Sequence, residues 1–225
     1  RMKKIITGDS IFKKMTLIFA LLVLVLAFII FYELYSRSQL AINEFGIDFL
    51  TGETWNPVHE DFGALPFIYG TVTSSIIALI IAVPISLGIA IYLSEMAPRR
   101  LRSPLSFMVE LLAAVPSVVY GLWGLFVLVP WIRDFLEPFL ESTLGFLPFF
   151  QGPKFGISML AGGVILAIMI IPTISAVSRE VMLAVPHIQR EAAFALGATR
   201  WEVIKISVLK YARTGIFGAI ILGLG

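Results

Sequence analysis

The sequence predicts an all-α membrane protein, a multi-span helical bundle, and three observations carry that reading. Of its 225 residues 58% are hydrophobic and only 14% charged, with a mean hydropathy of +0.93, whereas a soluble domain carries roughly a quarter of charged residues. Four uncharged or nearly uncharged stretches, 15–35, 69–93, 105–130 and 157–177, reach the roughly 20 residues that cross a hydrocarbon core about 30 Å thick. Finally, the charges alternate between the stretches. Fourteen of the seventeen Lys and Arg residues precede the first stretch or lie between the second and third or after the fourth, leaving Arg37, Arg133 and Lys154 among acidic residues on the other side. By the positive-inside rule the N-terminus is cytoplasmic. The net charge of +2 is too small to suggest nucleic acid as a partner. The absence of cysteine removes disulfides, thiolate metal sites and thiol nucleophiles.

Taken in order, 1–14 is a cytoplasmic N-terminus and 15–35 a retained anchor helix. Its apolar run is too long for a signal peptide, and Glu33, Tyr35 and Arg37 stand where a cleavage site would be. Residues 36–68 form an ordered external loop, acidic and carrying Trp55, Asn56 and Pro57. The second helix, 69–93, repeats small residues at Ser74, Ala78, Ala82, Ser86, Ala90 and Ser94, a shallow ridge that lets another helix approach. Pro84 and Gly88 weaken its hydrogen-bond ladder.

The third helix, 105–130, contains Glu110 and is interrupted by Pro116, Ser117, Tyr120, Gly121 and Gly124. Freed carbonyls beside hydroxyls are the material of a polar passage through lipid. Glu110 either pairs with a basic loop residue or stands in that passage. Residues 131–156 read as an external interfacial loop, with Phe135, Phe139, Phe146, Phe149 and Phe150 among Pro138, Pro148 and Pro153. The fourth helix, 157–177, repeats the polar theme with Pro172, Thr173 and Ser175, followed by Ser178 and Arg179.

Residues 178–213 form a cytoplasmic loop with strong local signals. Pro186 opens a short helix whose Ile188, Ala192 and Leu196 share one face. Gly197 ends it in a left-handed cap, and Thr199 with Glu202 starts a second helix with a capping box. Arg190, Glu191, Arg200 and Lys205 are expected at its surface. Such an element either rests on the membrane or docks a cytoplasmic partner. A fifth helix begins at 214–225. Its 12 or so apolar residues span roughly 18 Å, too little to cross, so the sequence is expected to be part of a longer protein. His59 and His187 fall in different loops, no ligand spacing occurs and no serine is paired with a base, so neither a catalytic residue nor a metal site is expected.

Glu191, Ala192 and Ala193, then Gly197 after three residues, resemble the Glu-Ala-Ala-x-x-x-Gly loop signature of permease subunits of bacterial ABC importers, of the type I (MetI-like) kind. The runs 191–205, 110–124 (ELLAAVPSVVYGLWG) and 62–94 (FGALPFIYG onward) look like one branch, the phosphate permeases that pair with a second permease. The resemblance covers nearly the whole chain. It implies that Glu191, Ala192, Ala193, Leu196 and Gly197 couple to a dimer of cytoplasmic ATPase subunits. ATP and Mg would belong to that partner, since this chain has no phosphate-binding loop and is expected to bind no cofactor itself. It also implies an external phosphate-binding protein, a place in the cell (plasma or inner) membrane, and a path formed with the second permease. The residues here that suit the path are Glu110, Pro116, Ser117, Tyr120, Thr173 and Ser175. Two departures stand out. Ser207, Val208, Leu209 and Lys210 replace the family's Ile-x-Leu-Pro, and the family's later Arg-Ala-Leu-Gly-Glu segment would lie past Gly225. Alternatives are an importer permease for another oxyanion or polar nutrient, a secondary transporter, or a membrane scaffold.

Overall fold

The computed structural model describes residues 2–146 and 155–225, with side chains from residue 9 onward. Expectations attached to Phe149, Phe150, Pro148, Pro153 and Lys154, and to the side chains of Arg1, Lys3 and Lys4, lie outside the described residues. The chain forms two compact units, 1–68 and 69–225.

In the first unit, helix α1 (Met2–Phe45) continues well past the expected end at 35. Its polar continuation stays helical through local bonds: Arg37 pairs with Glu33 one turn back at 2.7 Å, and Ser38 Oγ donates to the Leu34 carbonyl. The remainder of the expected loop is a small folded module. After α2 (Asp48–Thr51), strands β1 (Trp55–Asn56) and β2 (Asp61–Phe62) pair antiparallel with Trp55 opposite Phe62. Asn56 Oδ1 accepts the Val58 and His59 amides and shapes the turn. Phe45, Phe49, Trp55, Phe62 and Phe67 join in edge-to-face and tilted ring contacts. Gly52 and Gly63 cross backbone on backbone; a Cβ on Gly63 would sit 2.2 Å from the Gly52 carbonyl carbon, so only glycine fits.

The second unit is built on α3 (Leu65–Ile91, continued by the π-helical turn Tyr92–Met96), α8 (Met159–Leu183) and α11 (Lys210–Leu224). The small-residue row on α3 is the seam: Ala78, Ala82, Ser86, Ala90 and Ser94 are buried, and Ala78 and Ala82 pack with Ala167 and Ile174 of α8. Ser86 Oγ reaches across to the Ile171 carbonyl at 3.2 Å. Ala90, Met182, Val208, Ala212 and Ile216 close a second cluster among α3, α8 and α11.

The structure corrects the third expected helix. Instead of one span over 105–130, α4 (Arg99–Ala113) stops and α5 (Ser117–Trp123) begins after Pro116. Proline supplies no amide hydrogen and pushes the preceding residue out of the helical region. From Ser117 the chain stays helical through α6 (Val129–Trp131), α7 (Glu137–Leu144) and the intervening π turns, making Ser117–Leu144 the stretch of spanning length. Much of the expected loop 131–156 is therefore helix. Pro130 and Pro138 do not interrupt it because each occupies a first-turn position of its segment.

The fifth expected helix is corrected as well. Helix α9 (His187–Ala195) leads to α10 (Arg200–Val203), which runs through the π turn Ile204–Leu209 into α11 without a break. Arg200–Leu224 is one 25-residue helix, about 37 Å long at 1.5 Å per residue. Lys210, where the family motif has proline, lets the ladder continue. Five helices among the described residues are long and apolar enough to cross a membrane.

Candidate functional site

The loop around α9 is held by its own caps. Gly197 sits at φ +85°, its amide donates to the Phe194 carbonyl and the Ala198 amide to the Ala193 carbonyl, a paired closure of the helix end. Thr199 and Glu202 exchange capping bonds: the Thr199 amide donates to Glu202 Oε2 at 2.7 Å and the Glu202 amide to Thr199 Oγ1 at 3.4 Å. Ser207 Oγ donates to the Gln189 carbonyl and ties α9 to the π turn Ile204–Leu209.

The expected surface position of Arg190 is wrong. Its side chain is only 12% exposed and forms a two-pronged ion pair with Glu95, itself 13% exposed, at 2.7 and 3.2 Å. The same guanidinium donates to the carbonyls of Met182 and Val185. One residue thereby fastens α9 to the C-terminal ends of α3 and α8. A charge this buried is tolerated because every side of it is paired or hydrogen-bonded. Glu95 was missed in the sequence because its partner lies 95 positions away; the available signal was a lone acid at the end of an apolar helix, on the face of the buried row.

Of the five loop residues singled out, Ala193 is buried against this support, while Glu191, Ala192, Leu196 and Gly197 are exposed. Leu196 is 89% and Ile188 72% exposed, so the apolar face predicted for α9 points outward and is unpartnered. Between Gln189, Ala193, Leu196, Ala198 and Ile206 lies a hollow of about 350 Å³.

The six expected path residues are spread over distinct settings. Pro116 sets the break between α4 and α5. Tyr120 ties the two helices together across that break, its hydroxyl donating at 2.9 Å to the Leu112 carbonyl, which also accepts the Val115 amide. Ser117 is exposed and Thr173 half-buried. Ser175 is fully buried and donates to the Pro172 carbonyl of its own helix, so its hydroxyl hydrogen is already engaged within α8. Glu110 lies 3.6 Å from Arg179, which realises the pairing with a basic residue, and both line a polar cleft of about 420 Å³ with Arg99, Arg102, Ser103, Ser106 and Phe107.

Fold and site define a multi-pass helical membrane protein that carries a rigid helix–glycine–helix element fixed to the ends of its buried helices. The chain belongs to the family described as binding-protein-dependent transport system inner membrane component, whose sequence model matches residues 82–225. It is 47% identical over 221 residues to the phosphate transport system permease protein PstC of Mesorhizobium japonicum, covering 96% of this chain and 68% of that protein. The PstC of Haemophilus influenzae is also 47% identical, over 96% of this chain and 70% of its own length. A probable phosphate transport system permease protein PstC of Methanocaldococcus jannaschii is 37% identical, over 99% and 69%. These relatives are transport components, not enzymes.

Proposed function

We propose that this chain is the membrane-spanning permease subunit of an ATP-driven importer of inorganic phosphate. It forms the translocation path with a second permease and takes its power stroke from a dimer of separate cytoplasmic ATPase subunits, which hold ATP and Mg. The N-terminus is cytoplasmic, an external binding protein delivers phosphate, and the membrane is the cell's plasma or inner membrane.

The observation that carries the reading is the mounting of α9. A short helix with an outward apolar face costs exposure of that face to water unless a partner covers it, and a buried ion pair fixes it to α3 and α8. Force applied to such a helix is passed to the membrane helices and not absorbed in the loop. The similarity to phosphate transport permeases favours phosphate as the substrate. Glu110, Pro116, Ser117 and Thr173 border the path in this reading, while the Tyr120 hydroxyl ties α5 back to the end of α4 and Ser175 is engaged within α8.

The test is uptake of labelled phosphate by cells carrying the full-length protein with its neighbouring subunits, in competition with sulfate and molybdate. Phosphate uptake resistant to both competitors, with an ATPase co-purifying from the membrane, is expected. Uptake blocked equally by sulfate would move the assignment to a general oxyanion permease, and the absence of any ATPase would refute the importer.

A further inference from the structure

We infer that the cleft between α4 and α8 is an anion site for a phosphate group, with Glu110 as its resident competitor. The inference rests on the importer reading, because it deepens the substrate class of that permease. Arg99, Ser103, Ser106 and Glu110 fall on one stripe of α4 at i, i+4, i+7 and i+11, and Arg179 faces them from α8. Three guanidinium groups and two hydroxyls thus surround one carboxylate. The excess of positive charge on these walls suits a mono- or dianion rich in acceptor oxygens.

Two features add to the charge of this wall. The first turn of α4 holds Arg99, Arg100 and Arg102 with no acid, although the positive end of a helix disfavours cations. Moreover, Arg102 is anchored by its Nη2 bond to the Ser94 carbonyl at 2.9 Å, which fixes this guanidinium at the wall of the cleft.

Glu110 behaves as a stand-in for the anion. At 3.6 Å from Arg179 it is beyond hydrogen-bond length, and its side chain is 58% exposed, so a stronger acceptor displaces it into solvent at little cost. Arg179 itself is held by Ser106 and Glu180 and stays in place when Glu110 leaves. The cleft also shares its covalent frame with the coupling helix, since α4 follows directly on the turn Tyr92–Met96 that bears Glu95.

Free orthophosphate and the phosphate of a lipid headgroup share this chemistry, so the experiment has two arms. The full transporter, purified with its partner subunits but without the external binding protein, is placed in nanodiscs of zwitterionic lipid for equilibrium binding of radiolabelled orthophosphate. A parallel sample with added anionic lipid is examined by native mass spectrometry for retained lipid. Arg99→Gln is expected to weaken binding about tenfold, the loss of one charge-assisted hydrogen bond, and Glu110→Gln to strengthen it severalfold. Both residues are exposed, and opposite signs from two charge-removing substitutions are not produced by misfolding. The same opposite signs confined to retained anionic lipid would assign the site to a headgroup. Equal behaviour of both variants and the parent in both arms refutes the site. If that happens while the parent still takes up phosphate in cells, the importer reading stands without it; a parent that takes up no phosphate overturns the importer reading whatever the cleft binds.

Discussion

Gly197 has open space where a side chain would begin, so its requirement is set by backbone and not by packing. At φ +85° an alanine costs about 1 kcal/mol, and asparagine, which tolerates the left-handed region, less. The expected order of thermal midpoints for the full complex is glycine, then asparagine, then alanine. A bulky residue at 197 is expected to leave ATP hydrolysis running while phosphate uptake falls; if uptake persists unchanged, the glycine turn takes no part in coupling. Tyr120→Phe removes the donor to the Leu112 carbonyl at a cost of about 1 kcal/mol, read as a lowered midpoint with phosphate selectivity unaltered. If selectivity shifts instead, Tyr120 belongs to the path after all.

Between helices, glycine sets distance. A Cβ on Gly215 of α11 would lie 2.4 Å from Val181 Cγ1 of α8, so Gly215→Ala is expected to cost about 1 to 3 kcal/mol. Adding Val181→Ala removes both methyls that the new Cβ would meet and is expected to recover a good part of the loss in a double-mutant cycle; strict additivity would mean that this seam is not tight. Close seams of this kind were legible beforehand because small residues recur every fourth position on α3. Helix ends were legible where the residue type itself signals the cap, the Thr199 hydroxyl or the glycine at 197 that takes a positive φ. Hydropathy marks what lipid will accept, not where a backbone ladder stops, so polar residues after 35 passed for loop although α1 continues to Phe45. Likewise, Pro116 was visible as a weak point, but nothing local distinguishes a kink inside one span from the boundary between α4 and α5. The Glu95–Arg190 pair and the meeting of Arg179 with α4 depend on tertiary contacts across many residues, and no periodicity encodes them.

For the molecule as a whole, the proposed importer assigns docking and transmission to different residues, so the two are separable by experiment. Leu196 is 89% exposed, so Leu196→Asp is expected to leave the thermal midpoint unchanged while abolishing co-purification of the ATPase. Arg190 supports three elements at once. Arg190→Ala takes the side-chain donor from the Glu95 carboxylate and the Val185 carbonyl, while the Met182 carbonyl keeps the Val185 amide, at a cost of about 3 to 5 kcal/mol for a broken buried pair. Glu95→Gln keeps the shape and an acceptor for Arg190, and Arg190 retains its two carbonyls, so the cost is smaller and α9 stays in place on a weaker mount. That variant distinguishes a strut from a mere fold contact. With the outward face of α9 intact, the ATPase is expected to bind and hydrolyse ATP as before, while the phosphate moved per ATP declines because the pull on α9 is no longer passed stiffly to α3. The measurement is uptake and hydrolysis together in proteoliposomes supplied with the external binding protein. A Glu95→Gln transporter with an unchanged ratio would show that the pair only holds the fold, and that closure of the ATPase reaches the membrane helices by another route, such as the continuous helix Arg200–Leu224.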